Sequence, residues 1–261
     1  MATDNYFINL IKTQTKFELI KLFRMPVYII TLVGLPLFFY MATGTNQRMP
    51  DITEGLPTVK YLVCTLGTFG VFGIALFGFG VNYSIERSQG WYHTLQPAPI
   101  PLSVIFFSKI IACMALSSIA ILLLFAEAHF VFKVSLDWSQ WLGIYGTLLL
   151  GSLPLACLGL LVGSLFGSNS VSLVTIMIYL AVASISGLLA TLSMIRSGNP
   201  RMAEMAVIYP TYHVYQLALA NLQATTFLEV VKHIAVLLAY SIGFSGLVLI
   251  LFKENMSKTH G

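Results

Sequence analysis

Six long runs almost free of charge divide this sequence, at 27–42, 61–84, 106–129, 141–166, 171–195 and 228–252. An apolar bilayer core of about 30 Å takes about 20 helical residues, and backbone polar groups cannot be left unpaired in hydrocarbon. Runs of this length therefore predict membrane-spanning helices. Composition agrees: of 261 residues, 57% are hydrophobic and 9% charged, too few polar groups to clothe a globular surface. The expected fold is an all-α integral membrane protein with six transmembrane helices. The first run is short and contains Pro36, so it borrows length from the segment before it or sits in a thinned region.

Several function classes are excluded. A net charge of +4 without a basic stripe argues against nucleic-acid binding. Cys64, Cys113 and Cys157 all fall inside apolar runs, where cysteine behaves as a small hydrophobe and implies neither disulfides nor a metal site. No H-E-x-x-H occurs, and no G-x-x-x-x-G-K-[S/T] phosphate loop, so ATP is not expected to bind here. No cleavable signal peptide is evident before the first run.

Orientation follows from lysine and arginine placement. With both termini in the cytoplasm, Lys12, Lys16, Lys21, Arg24, Arg87, Lys109, Lys253 and Lys258 lie inside, against Arg48, Lys60, Lys133, Arg196, Arg201 and Lys232 outside. Four cations precede the first run, and this asymmetry sets the expectation. Residues 4–24 place Phe7, Leu10, Ile11 and Phe17 at helical spacing, with Lys12 and Lys16 roughly opposite. That is the pattern of a helix lying in the membrane interface. Pro26 breaks it from the first span.

Of the two inner loops, Gly167-Ser168-Asn169-Ser170 is a tight turn. The other, from Ile85 to Ser103, is long enough for a short helix ended by Pro97, Pro99 and Pro101, and it offers a docking surface. Glu86 and Arg87 can pair with charges on a soluble partner, Gly90 allows close backbone approach, and Trp91, Tyr92 and Leu95 can anchor apolar contacts. In the second run, Gly67, Gly70 and Gly73 with Phe77 form a small-residue and aromatic face. Ser184 and Gly187 in the fifth give a similar one. These are candidates for packing across a dimer or for ordinary helix packing. On the outer side, Ser197-Gly198-Asn199-Pro200 marks a turn, and 202–222 is apolar but interrupted by Pro210, as in a re-entrant or surface-lying helical pair. Glu229 and His233 share a face at i, i+4 and form a possible outer polar site.

Taken together, the loop, the spans and the outer hairpin resemble the ABC-2 type permeases, the membrane subunits of a class of ATP-driven exporters. Glu86-Arg87, Gly90, Leu95, Pro97 and Lys109 occur in the family's order and spacing. Ile208-Tyr209-Pro210-Thr211-Tyr212-His213 is similar to its proline-containing approach to the sixth span. Trp91 and His93 depart from the threonine and acidic residue more usual there, which bears on which ATPase is recognised. The resemblance implies a single transmembrane domain over 1–261. It would comprise a connecting helix at 4–24, a cytoplasmic coupling helix at 85–96 and broken outer helices at 202–222. It also implies a separate ATPase subunit carrying ATP and Mg, a second permease making a homodimer or heterodimer, and a bacterial inner membrane.

The resemblance also places the second and fifth spans, with Gly67, Gly70, Gly73, Phe77, Ser184 and Gly187, along the translocation pathway, and the near absence of charge in those runs favours an amphiphilic or lipid-like cargo. Two alternatives stand beside the exporter. One is an ion- or proton-coupled secondary transporter using Glu127 and His129, although no inverted repeat is evident. The other is a non-transporting sensor or resistance subunit on the same fold. A membrane enzyme would have to rest on Ser164 with His213 or His233 as base, and serines beside glycines are ordinary packing residues in spans.

Overall fold

A proline sets the first boundary. Pro26 has no N–H to donate and a fixed φ, which suits it to the first turn of a helix and to starting a new one. The chain accordingly breaks at Met25, between α1 (Ala2–Phe23) and α2 (Pro26–Gly44). The structure is a computed structural model that describes residues 2–45, 56–90, 101–189 and 191–257. Next comes α3 (Thr58–Ser88), followed by α4 (Leu102–Phe130), α5 (Trp138–Leu165) and α6 (Val171–Ile185). Two short helices, α7 (Leu192–Gly198) and α8 (Pro200–Met205), and a 3₁₀ turn at Ala206–Ile208 lead into α9 (Pro210–Leu219) and α10 (Phe227–Ser257).

Five of these helices are long and apolar enough to cross a membrane: α2, α3, α4, α5 and α10. The fifth expected span is shorter than its apolar run. Expected over 171–195, it stops at Ile185 after 15 residues, a rise of about 22 Å against the roughly 30 Å of a bilayer core. Gly187 is the reason. It takes φ 89°, a conformation other L-residues resist, and the Leu188 N–H bonds back to Ala183 O at 3.0 Å, the six-to-one bond of a glycine-terminated helix. Ser184 is left exposed on α6, while Gly187 is buried in the turn.

The helix α3 runs through the centre of the bundle and is enclosed by the chain's own helices over most of its length. Its glycines are packing sites. A methyl group at Gly67 would stand 2.7 Å from the Leu148 side chain, one at Gly70 3.0 Å from Pro36, and one at Gly73 2.9 Å from the Tyr179 hydroxyl. At Gly80 the approach is backbone to backbone: a Cβ there would run into the Gly159 carbonyl, and a Cβ at Gly163 into the Gly80 carbonyl. At this crossing α3 widens into a π-helix over Ile74–Val81. Side chains take up carbonyls there: the Tyr28 hydroxyl donates to Phe77 O, and Asn82 Nδ2 donates to Gly78 O at 2.8 Å. Phe77 closes an aromatic group with Phe69 and Phe72 around Tyr179, at ring separations of 4.6 to 5.3 Å.

Side chains fix two helix starts, only the first of them with a complete capping box. Asp137 and Gln140 form one at α5, which begins three residues earlier than the apolar run suggests. At α10 the Glu229 carboxylate accepts from the Thr226 N–H at 3.3 Å and the Thr226 hydroxyl at 2.9 Å. The expected outer helical pair at 202–222 is the end of α8, the 3₁₀ turn and α9. The last does not lie on the surface: Val214, Tyr215, Ala218 and Leu219 are buried where α9 packs on α3, α5 and α10.

Candidate functional site: a charge ring at the end of α3

The charged side chains of a mostly apolar chain must find partners or water. On α1 the stripe Ile11, Thr15, Glu18, Leu22 turns toward α4, and both Glu18 and Leu22 are buried. Phe7 and Phe17, on the face expected to lie in the membrane interface, are exposed. A carboxylate is thus hidden while two aromatics point outward, because Glu18 is met by Lys21 of its own helix and by Lys109 of α4.

Those countercharges close a ring. Glu18 Oε1 lies 2.7 Å from Lys109 Nζ, and Glu18 Oε2 lies 2.9 Å from Lys21 Nζ. Across from it, Glu86 Oε2 lies 2.8 Å from Lys109 Nζ, and Glu86 Oε1 pairs with Lys21. Two carboxylates and two ammonium groups alternate around a square, each carboxylate using one oxygen for each cation. The Lys109 side chain is 2% exposed and Glu18 7%, Glu86 13%, whereas Lys21 is 38% exposed. The ring therefore has a dry corner and a wet one, and it ties α1, the end of α3 and the start of α4 together.

One residue further on, Arg87 makes a second tie. Its guanidinium donates to Ser164 O and, at 3.0 Å, to Phe166 O, and the Ser84 hydroxyl donates to Phe166 O at 2.6 Å. These carbonyls end α5, where a helix leaves acceptors unpaired and its dipole favours a cation. The last turn of α3 is thus braced on one side by the ring and on the other by α5. Gly90 then ends the helix in the left-handed region, at φ 68°.

The expected coupling helix over 85–96 is placed only in part. Residues 85–88 are the last turn of α3 and not a separate element. Glu86 and Arg87, expected to meet a partner's charges, are engaged within the chain. Gly90 serves the turn. Trp91, Tyr92 and Leu95 lie outside the described residues. The ring's other half, Glu18, has a signal in the sequence: a Glu18–Lys21 pair at i, i+3 beside apolar neighbours, and a lysine seven residues into an apolar helix.

At the other end of the bundle, no hydrogen bond or ion pair joins Glu229 to His233 among the described residues. Glu229 caps α10, and His233 Nδ1 lies 2.7 Å from His213 Nδ1 of α9. His213 Nε2 is 2.9 Å from Val207 O. A carbonyl only accepts, so Nε2 carries the proton, His213 Nδ1 accepts, and His233 Nδ1–H donates. Burial holds the His213 pKa below its usual value, outweighing the Val207 carbonyl, which favours the charged ring.

Helices of spanning length, large apolar side chains exposed along them, among them Leu122, Leu150 and Ile242, and charges kept toward the helix ends define a multi-pass membrane protein. The chain belongs to the ABC-2 family transporter proteins, whose family model matches residues 4–250. It is also similar to the "Putative transport permease YvfS" of Bacillus subtilis (strain 168), at 22% identity over 178 residues, 67% of this chain and 71% of that protein.

Proposed function

We propose that this chain is the transmembrane subunit of an ATP-driven exporter, working with a separate ATPase and a second permease, with both termini in the cytoplasm. The observation that carries the reading is the bracing of the segment leading into the inner loop. The last turn of α3 is bonded to α1 and α4 through Glu18, Lys21, Glu86 and Lys109, and to the end of α5 through Arg87 and Ser84. A force applied to the loop therefore acts on several helices as one body. A solvated connecting turn does not need that bracing. ATP and Mg belong to the partner. An amphiphilic or lipid-like cargo fits the uncharged, aromatic surroundings of Tyr179.

The test is photo-crosslinking in cells from a benzoylphenylalanine placed at position 91. An adduct with an ABC ATPase supports the reading; adducts with lipid alone, at full expression, defeat it. A second reading has one observation in its favour. Glu127 Oε2 on α4 is buried without a hydrogen-bond partner, as a protonatable carrier site would be. Under that reading Glu127→Gln abolishes transport, and under the ATP-driven reading transport survives it.

A further inference from the structure

Between α1 and α4 runs an open groove of about 370 Å³, within the range of small-molecule sites. Ile11, Leu19, Ile20 and Phe23 form one wall and Ile111 of α4 the other. The aliphatic stems of Lys12 and Lys16 complete it, an arrangement that leaves charged heads at a rim. Both lysines are exposed, and neither has an ion-pair partner among the described residues. They stand at i, i+4, where like charges repel unless an anion sits between them. The nearest acidic residue on the helix, Glu18, is already engaged by Lys21 and Lys109.

The third observation is Thr15, which lines the same groove. Its Oγ1 is buried and has no hydrogen-bond partner. A threonine in a helix ordinarily returns its hydroxyl to the carbonyl four residues back, as Thr31, Thr68 and Thr147 do here at 2.8 to 2.9 Å. Thr15 does not, and a buried hydroxyl left unpaired is costly. An orphan donor between two unpaired cations at the edge of an apolar groove has the donor set of a phosphodiester with a hydrocarbon tail.

We infer that this groove holds an anionic phospholipid of the surrounding leaflet, its phosphate at Lys12, Lys16 and Thr15 and an acyl chain along Leu19, Phe23 and Ile111. The exposed aromatics Phe7 and Phe17 on the same helix set it at the level of headgroups. The inference goes beyond the transport reading and holds whether or not ATP drives the protein. Since Glu18 and Lys21 follow within two turns on α1, a lipid seated here also fixes the helix that carries half of the charge ring.

The probe is dioleoyl phosphatidylglycerol against dioleoyl phosphatidylcholine, titrated onto the delipidated full-length chain and read by native mass spectrometry. Each lysine near an anionic headgroup contributes about a five-fold preference, so the pair predicts that the phosphatidylglycerol adduct forms about 30-fold more tightly. Lys12→Gln with Lys16→Gln should erase that preference while leaving the phosphatidylcholine background and the melting temperature unchanged, because both side chains are exposed. Thr15→Val, nearly isosteric, should weaken phosphatidylglycerol by about three-fold, the lower range for a single hydrogen bond. Equal binding of the two lipids would overturn the inference. So would a preference that persists in the double variant, or displacement of phosphatidylglycerol by inorganic phosphate at matched concentration, which would make the site one for a free anion.

Discussion

Lys109→Met removes the dry corner of the ring and leaves the Glu18 and Glu86 carboxylates sharing the half-exposed Lys21. At 2.7 and 2.8 Å, and an effective dielectric near 20, each of the two lost pairs has a gross attraction of about 6 kcal/mol. Desolvation of the three ions, several kcal/mol each, offsets most of that in the intact ring. Removing one partner restores none of that cost for the carboxylates left behind. The expected net loss is therefore about 3–5 kcal/mol, and on the order of 10 °C in melting temperature for a chain of this size. Lys21→Met should cost only about 1 kcal/mol, because its corner is open to water and solvent can replace the ammonium. Adding Glu18→Gln to Lys109→Met leaves one carboxylate facing Lys21 and should recover about half of the loss, a coupling that a double-mutant cycle isolates. The assay is thermal unfolding of the purified chain in detergent, followed by intrinsic fluorescence. Equal losses for Lys109→Met and Lys21→Met, or no recovery on adding Glu18→Gln, would refute the reasoning.

Three further outcomes are expected from the same measurement. Gly159→Val drives a branched side chain into the Ala75 carbonyl and should cost at least about 3 kcal/mol, whereas Gly146→Ala, with open space around it, should be neutral or stabilising. Gly90→Ala places a Cβ at φ 68° and should cost about 1 kcal/mol. For His213 the sign follows from its depressed folded pKa. Between that value and the unfolded value of about 6.5 the unfolded state binds the extra proton, so stability is full above about pH 6.5 and declines as pH falls. Protonated His213 would also turn an N–H toward the N–H of His233. His213→Gln should flatten the pH 7.5 to 5.0 dependence of the melting temperature, and an unaltered slope would show that other groups carry it.

The spans were legible because hydrocarbon imposes a length and a lack of charge, and α2, α3, α4, α5 and α10 follow the apolar runs closely. Their ends were less so. Asp137–Gln140 and Thr226–Glu229 are capping signatures lying in the sequence, yet hydropathy alone starts α5 at Trp141. Gly187 reads as one more small residue inside an apolar run until its positive φ shows that it ends a helix. The π-helical turn at Ile74–Val81 has no periodic signature at all, since it answers to the Gly80–Gly159 crossing with a distant helix. At the site, Glu86 and Arg87 stood out as charges beside an inner loop, and a partner was the natural place to send them. Only the fold could bring Lys21 and Lys109 to one and the C-terminal carbonyls of α5 to the other. The pairing of His213 with His233, in place of Glu229 with His233, is likewise a matter of how α9 packs, which no spacing along α10 contains.

The central claim is that the loop leaving α3 at Gly90 transmits work from a separate ATPase into a braced group of helices. Its most direct measurement is substrate-stimulated ATP hydrolysis by the permease reconstituted in liposomes with the ATPase captured at position 91, comparing the natural chain with Trp91→Ala. The account predicts a variant that inserts and melts like the natural chain but loses at least 90% of the stimulation, about 1.4 kcal/mol or more of coupling. Stimulation equal to that of the natural chain would contradict it.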